Sequence, residues 1–277
     1  MKWNALYRLM RLDKPIGTLL LWYPTAWALW LANQGMPPIK LLILFFLGTV
    51  LMRSAGCVIN DIADRNIDKH VSRTKSRPLT TGELSLEDAI FLMLFLLVGA
   101  LIILLCLPTS CFIWALMAVL ITGIYPFCKR FFSAPQVVLG FAFSMGIPMA
   151  YTASGKPLTE ITMLLLIINF LWILAYDTMY AMVDREDDSK IGVKSTAILF
   201  GRYDRFIISI LLGTLHLLWL FLAQYSPLGW YFYPLWFLAV GILIYQQKLL
   251  YLCQPELCFR SFLISSYYGA VMWSALL

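Results

Sequence analysis

Charge is what this chain has least of. Asp, Glu, Lys and Arg make up 13% of its 277 residues, about half the share usual in soluble domains. The six cysteines (Cys57, Cys106, Cys111, Cys128, Cys253 and Cys258) show no CxxC spacing and lie in or beside apolar runs. They read as reduced packing residues. The two histidines read as ordinary: His70 sits among basic residues, and His216 is alone in an apolar run, where it suits a helix-to-helix hydrogen bond. The stretch Met1 to Lys14 is too polar for a signal peptide, so the apolar run after it reads as a true span. What the chain has is apolar surface, with 61% hydrophobic residues and mean hydropathy +0.79. This is the composition of an integral membrane protein. The net charge of +6 could suit nucleic acid, but the placement of the charges gives no nucleic-acid partner.

A spanning helix needs about 20 apolar residues. Polar breaks and Pro/Gly punctuation give nine candidate spans, near 16–32, 41–59, 87–107, 111–127, 135–153, 161–181, 205–224, 231–247 and 260–276. With a cytoplasmic N-terminus, every Lys and Arg except Lys40 and Lys156 falls at the cytoplasmic side, Arg53 being in the cytoplasmic half of the second span. That asymmetry orients the chain by the positive-inside rule. The fold class is all-α, because backbone in lipid must satisfy its own hydrogen bonds. A weak internal repeat suggests two four-helix bundles and a ninth helix around a central cavity, in a single domain over 1–277.

Against this background two polar strings stand out: Asn60 to Asp68 and Tyr180 to Asp188. One follows the second span and the other the sixth, both on the cytoplasmic side. Acid–base runs in loops are usually solvated helix ends, but two with matching spacing on one side of a membrane favour a functional site. Read as helical, Asn60, Asp64 and Asp68 are four apart and share a face. Asp61 points about a quarter-turn away and reads as a supporting acid. Asp177, Asp184 and Asp188 form a second column, with Tyr180 between. Like charges at this spacing repel, and a divalent cation is the obvious compensation. Hard oxygens of this kind suit Mg²⁺, which takes one or two carboxylates plus substrate phosphates. Arg65, Lys69, Arg73, Lys129, Arg130, Lys190 and Lys194 are candidates for a diphosphate clamp. Aromatic and Met side chains can shelter an allylic cation; Tyr125, Phe141, Phe143, Met145, Met149 and Tyr151 are candidates.

These residues carry a resemblance. Asn60, Asp61, Asp64 and Asp68 match NDxxDxxxD, and Asp184 and Asp188 match DxxxD, the two acid motifs of the UbiA family of intramembrane prenyltransferases. The flanks resemble its bacterial 4-hydroxybenzoate branch: Arg11 to Gly17, Arg53 to Cys57, Arg73 to Leu79, Tyr125 to Arg130, Tyr176 to Arg185 and Ile191 to Ala197. The likeness covers nearly the whole chain and thins beyond Arg205. Ser265-Ser266 stands where the branch usually has a pair of Asn, and Lys69 where it often has Gly.

The resemblance implies transfer of a polyprenyl chain from polyprenyl diphosphate to the ring carbon ortho to the hydroxyl of 4-hydroxybenzoate, in ubiquinone synthesis at a bacterial inner membrane, with membrane lipid around the protein. Asn60, Asp64, Asp68, Asp184 and Asp188 would hold Mg²⁺, and Asp64, Asp68, Asp184, Asp188 and Arg130 would carry the catalysis. Which carboxylate takes the ring proton, and which of Arg53, Arg130 and Lys129 holds the benzoate, stay open. So does the acceptor, with homogentisate, dihydroxynaphthoate and haem as rivals. A CDP-alcohol phosphotransferase needs a different pattern after its first two acids. A cation-coupled transporter usually keeps its acids near the midplane, whereas these lie at the cytoplasmic edge.

Overall fold

The computed structural model describes residues 2–277, and among them no strand occurs. A short helix α1 (Lys2–Leu9) precedes α2 (Ile16–Asn33) and α3 (Ile39–Asp64). The small α4 (Pro78–Thr81) leads to α5 (Leu86–Leu105), α6 (Phe112–Cys128), α7 (Pro135–Ser144), α8 (Gly146–Ala153) and α9 (Glu160–Ile191). The small α10 (Thr196–Phe200) leads to α11 (Asp204–Tyr225), α12 (Phe232–Leu250) and α13 (Pro255–Ser274). Each of the nine candidate spans lies on one of these helices, except that 135–153 is divided at Met145 between α7 and α8.

Length and apolarity alone qualify six segments to cross a membrane: those containing α3, α5, α6, α7 with α8, α9, and α10 with α11. The helices α2, α12 and α13 do not qualify, because Trp, Tyr, Pro, Ser and Gln dilute their aliphatic content. The dilution has a structural cause in α2, which is buried on nearly all sides. Helices of that kind lie inside a bundle rather than at its surface. It packs against α3, α8 and α13. Its Trp27 ring meets Trp172 of α9 at 5.1 Å and Trp219 of α11 at 5.2 Å, and its indole donates to the Gly269 carbonyl of α13.

The outer face is aliphatic and the interior partly polar, the reverse of a soluble bundle. On α5, Phe91, Phe95, Val98, Ile102 and Leu105 are all exposed. In water so large an apolar face would drive association; beside hydrocarbon it costs nothing. Inside, α3 packs on α5, α2 and α6, and α9 packs on α11, α13 and α7. The two helices that end in acids therefore hold matching places, each surrounded by its own neighbours.

The basic loops gather at one end. There Lys129 reaches Asp64, Arg73 reaches Asp184, Arg205 donates to the Tyr251 carbonyl, and Lys2 pairs with Asp88. At the other end Asn33 donates to Ser154. The serines at 265–266 have partners of their own: the buried Gln246 of α12 donates to Ser265 Oγ and to the Ser261 carbonyl. His216 bonds Tyr268 at 3.1 Å and stacks on Trp236, the helix-to-helix contact expected of it. All six cysteines are free.

Candidate active site

The two acid strings meet at the basic end. Arg73, in the loop after α3, donates three hydrogen bonds to the Asp184 carboxylate of α9, the shortest 2.5 Å. Its guanidinium also lies 4.6 Å from the centre of the Tyr180 ring. One residue earlier, the backbone N–H of Ser72 donates to Asp187 at 2.9 Å. On the other flank Lys129, just past α6, pairs with Asp64 at 3.2 Å and reaches Asn60 at 3.5 Å. The same ammonium acts electrostatically on Asp177 and Asp188 of α9. One cation therefore pairs with the first acid set and acts at longer range on the second.

The first string is not one helix. A straight column over Asn60, Asp64 and Asp68 was the expectation, but α3 ends at Asp64 and Asp68 begins a separate 3₁₀ turn, Asp68–His70. Acids are unfavourable at a helix C-terminus, where the carbonyls point outward, and a second carboxylate on the column, Asp68, would repel the first, Asp64. The chain turns instead. Arg130 donates to the orphaned Ala63 carbonyl at the helix end, and Asp68 turns to Arg77 at 2.7 Å. Burial pushes the Asp68 carboxyl above its ordinary value, and the Arg77 guanidinium pulls it back. The second string is helical throughout: α9 carries Asp177, Asp184 and Asp188 on one face and stops at Gly192, whose left-handed φ of 75° suits glycine.

Asp61, expected as a supporting acid, is the most deeply buried of the first string, at 1% exposure. It is held by Arg11 at 2.8 Å and by Arg77 at 2.9 Å. Arg77 thus bridges Asp61 and Asp68 and ties the loop to α3. Neither arginine is among the expected clamp residues. No local pattern singled them out, because the burial of Asp61 and Asp68 is set by the tertiary structure.

The expected clamp divides. Arg73 and Lys129 lie directly on the acids. Arg65, Lys69 and Lys190 are exposed at the rim, Lys190 only 4.0 Å from Asp187. Arg130 is exposed and spent on the Ala63 carbonyl, and Lys194 donates to the Phe131 carbonyl. Of the aromatic candidates, Phe141 is exposed on the outer face against Phe170 and lines nothing inside.

Below the acids lies a second polar layer. Arg53 of α3 has its Nε buried without a hydrogen-bond partner, and its guanidinium sits 6.0 Å from the centre of the Phe143 ring. Tyr125, Tyr176, Tyr180 and Cys57 lie around it. The Tyr176 hydroxyl is also buried and unpartnered. Gly17, at the start of α2, gives Arg53 its room, because a Cβ there would stand 2.4 Å from the guanidinium.

The donor set can be tested against a metal. Among the described residues no three His, Cys, Asp or Glu side chains converge closely enough to enclose an ion. A magnesium–diphosphate complex does not need such a cage, because phosphate and water complete the shell around one or two carboxylates. The Oδ1 of Asp64 is buried with no partner. That atom and the facing Asp184 and Asp188 are hard oxygens of the right kind, so the residues present fit.

The chain matches the model of the UbiA prenyltransferase family over residues 21–274. Relatives named 4-hydroxybenzoate octaprenyltransferase include one from Legionella pneumophila (strain Paris), 63% identical over 99% of this chain and 97% of that protein. Another, from Vibrio cholerae, is 48% identical over 100% and 97%. Among solved structures, an apo UbiA homologue from Aeropyrum pernix superposes with TM-score 0.81 at 22% identity, over 93% of this chain and 96% of that one. A UbiA homologue from Archaeoglobus fulgidus bound to GPP and Mg²⁺ gives TM-score 0.73 at 18% identity, over 98% and 99%. A family match running almost from end to end, on an all-helical apolar bundle and with relatives 48–63% identical over nearly the whole chain, establishes that this chain belongs to the UbiA prenyltransferase family.

Proposed function

We propose that this protein transfers an octaprenyl or similar polyprenyl chain from its diphosphate to the carbon ortho to the hydroxyl of 4-hydroxybenzoate, a step toward ubiquinone. In this reading residues 1–277 form one domain in a bacterial inner membrane, surrounded by its lipid, with the acids at the cytoplasmic side. The observation that carries it is the joining of the two strings by Arg73 on Asp184 and Lys129 on Asp64, over an arginine, Arg53, whose buried Nε has no partner among the described residues.

Asn60, Asp64, Asp68, Asp184 and Asp188 would hold Mg²⁺. When bound, the ion supplies charge neutralisation that makes diphosphate a better leaving group. Arg73 and Lys129, which balance the acids in this structure, are placed to turn their donors onto phosphate oxygens and stabilise the charge that develops there. Arg65, Lys69, Arg130, Lys190 and Lys194 form a basic rim that draws in a polyanion. The loop between Asp68 and Arg77, tied down by Arg77 on Asp61 and Asp68 and by Arg73 on Asp184, would help keep water from an allylic cation and limit its hydrolysis.

Arg53 would hold the benzoate carboxylate. Arg130 is exposed and already bonded to a carbonyl, and Lys129 is engaged by Asp64. Arg53 alone of the three is within the bundle with donor capacity unspent. A buried guanidinium of this kind strongly favours a planar carboxylate partner.

The test is turnover in detergent, without any ion gradient, of octaprenyl diphosphate and Mg²⁺ with 4-hydroxybenzoate, homogentisate or dihydroxynaphthoate, the products identified by mass. Prenylated 4-hydroxybenzoate is the expected product. Preference for another acceptor would overturn the acceptor assignment, and no consumption of diphosphate would overturn the reaction.

A further inference from the structure

Arg53, Asn60 and Asp64 are spaced seven and then four along α3; Asp177, Asp184 and Asp188 repeat that spacing along α9. Both helices run toward the basic end, so Arg53 and Asp177 each lie two turns, about 10 Å, deeper than the acids that follow them. The lower layer therefore carries one cation and one anion at corresponding positions. Asp177 is buried at 9% exposure. It has no ion pair and no side-chain hydrogen bond among the described residues, unlike Asp61, Asp64, Asp68 and Asp184. An uncompensated carboxylate inside a membrane protein is costly and marks function.

Its surroundings define what it faces. Arg53 and Lys129 both act on Asp177 electrostatically, yet neither is close enough to form an ion pair with it. Tyr125 of α6 shares the same space, under the influence of Asp177, Asp64 and Arg53. Asp177 is therefore within electrostatic reach of both the cation assigned to the benzoate and the lysine that marks the diphosphate end. An acceptor ring with its carboxylate on Arg53 and its reacting edge toward the acids has Asp177 beside that edge.

We infer that Asp177 is the general base of the transfer. This rests on the acceptor reading above. The ring carbon ortho to the hydroxyl forms its bond to C1 of the prenyl chain as the C1–O bond breaks and diphosphate leaves with the electron pair. The proton on that ring carbon passes to the Asp177 carboxylate, and the C–H electron pair restores the aromatic ring. The carboxylic acid then gives the proton to departing diphosphate or to water. Asp177 is thus separated in role from Asp184 and Asp188, which hold the diphosphate through metal.

The experiment compares Asp177→Asn with wild type, using octaprenyl diphosphate, Mg²⁺ and 4-hydroxybenzoate either protiated or deuterated at both positions ortho to the hydroxyl. The expected result is a loss of about 100-fold or more in kcat, with unchanged affinity for prenyl diphosphate and a primary isotope effect larger than that of wild type. The conservative Asp177→Glu variant keeps a base and is expected to recover part of the rate; it also serves if Asp177→Asn does not accumulate in the membrane. Turnover near wild type, a slow variant whose isotope effect is unchanged, or loss of prenyl diphosphate binding would each overturn the assignment, the last by making Asp177 part of the diphosphate site. Wild type that prenylates another acceptor but not 4-hydroxybenzoate would instead fail the acceptor reading.

Discussion

At the scale of the residue, Asp61, Asp64, Asp68 and Asp184 each have a cation in hand, while Asp177 and Asp188 form no ion pair among the described residues. Asp64 and Asp184 lie on α3 and α9 and are held by Lys129 and Arg73, so they test the metal reading most directly. Asp64→Ala or Asp184→Ala is expected to reduce turnover by 100-fold or more, on the order of what an electrostatic contributor supplies, while the protein still reaches the membrane. Activity of both variants near wild type, measured with Mg²⁺ and prenyl diphosphate, would refute it. Arg77 is different in kind. It touches two buried carboxylates, and removing one partner of a buried pair costs about 3–5 kcal/mol because a charge is left uncompensated. Arg77→Met should therefore lower the melting temperature in detergent clearly, and adding Asp68→Asn should restore part of the loss. If the double variant is no more stable than Arg77→Met alone, the Asp68 contact does not carry the cost. The four-residue spacings of these acids were legible in the sequence. Their cations were not, since Arg11 lies fifty residues from Asp61 and Arg73 more than a hundred from Asp184.

At the scale of the element, helices are placed by what their neighbours leave room for. Gly17 lets α2 approach α3 over the Arg53 guanidinium. Gly17→Ala forces that side chain aside. It is expected to raise KM for 4-hydroxybenzoate several-fold while leaving KM for prenyl diphosphate unchanged; an equal effect on both would show that Arg53 serves the diphosphate end. Gly269 of α13 is a packing counterpart, because a Cβ there would meet Tyr23 at 2.4 Å and Trp172 at 2.8 Å. Overpacking of this kind costs about 1–3 kcal/mol, so Gly269→Ala should destabilise the bundle with little effect on KM. Helix identity was readable from apolar runs, with 135–153 the exception. Where α3 stops was not readable. NDxxDxxxD continues the helical period through Asp68, but the unfavourable helix end and the Arg77 contact turn the chain at Asp64.

At the scale of the whole molecule, the basic end and the acid pair coincide. In the proposed topology the positive charge faces the cytoplasm, and the same charge lines the rim of the site. In intact cells, a membrane-impermeant thiol reagent should modify a cysteine at the far end, as in Lys156→Cys on a cysteine-free background, and spare one at the rim, as in Lys190→Cys. The reverse pattern would invert the proposed topology. Chelation tests the site as a unit: EDTA should stop turnover and added Mg²⁺ should restore it, whereas turnover unaffected by chelator is incompatible with a metal-held diphosphate.

The amino-acid order by itself determined the helical class, the end at which charge collects and the two acid motifs, because each depends on short-range periodicity or on the cost of charge in hydrocarbon. Only the tertiary structure decided which cation answers which carboxylate, that Arg53 rather than Arg130 or Lys129 is free inside the bundle, and that Asp177 faces it unpaired. Those facts depend on side chains brought together from helices far apart in the chain, and no local pattern encodes their distances.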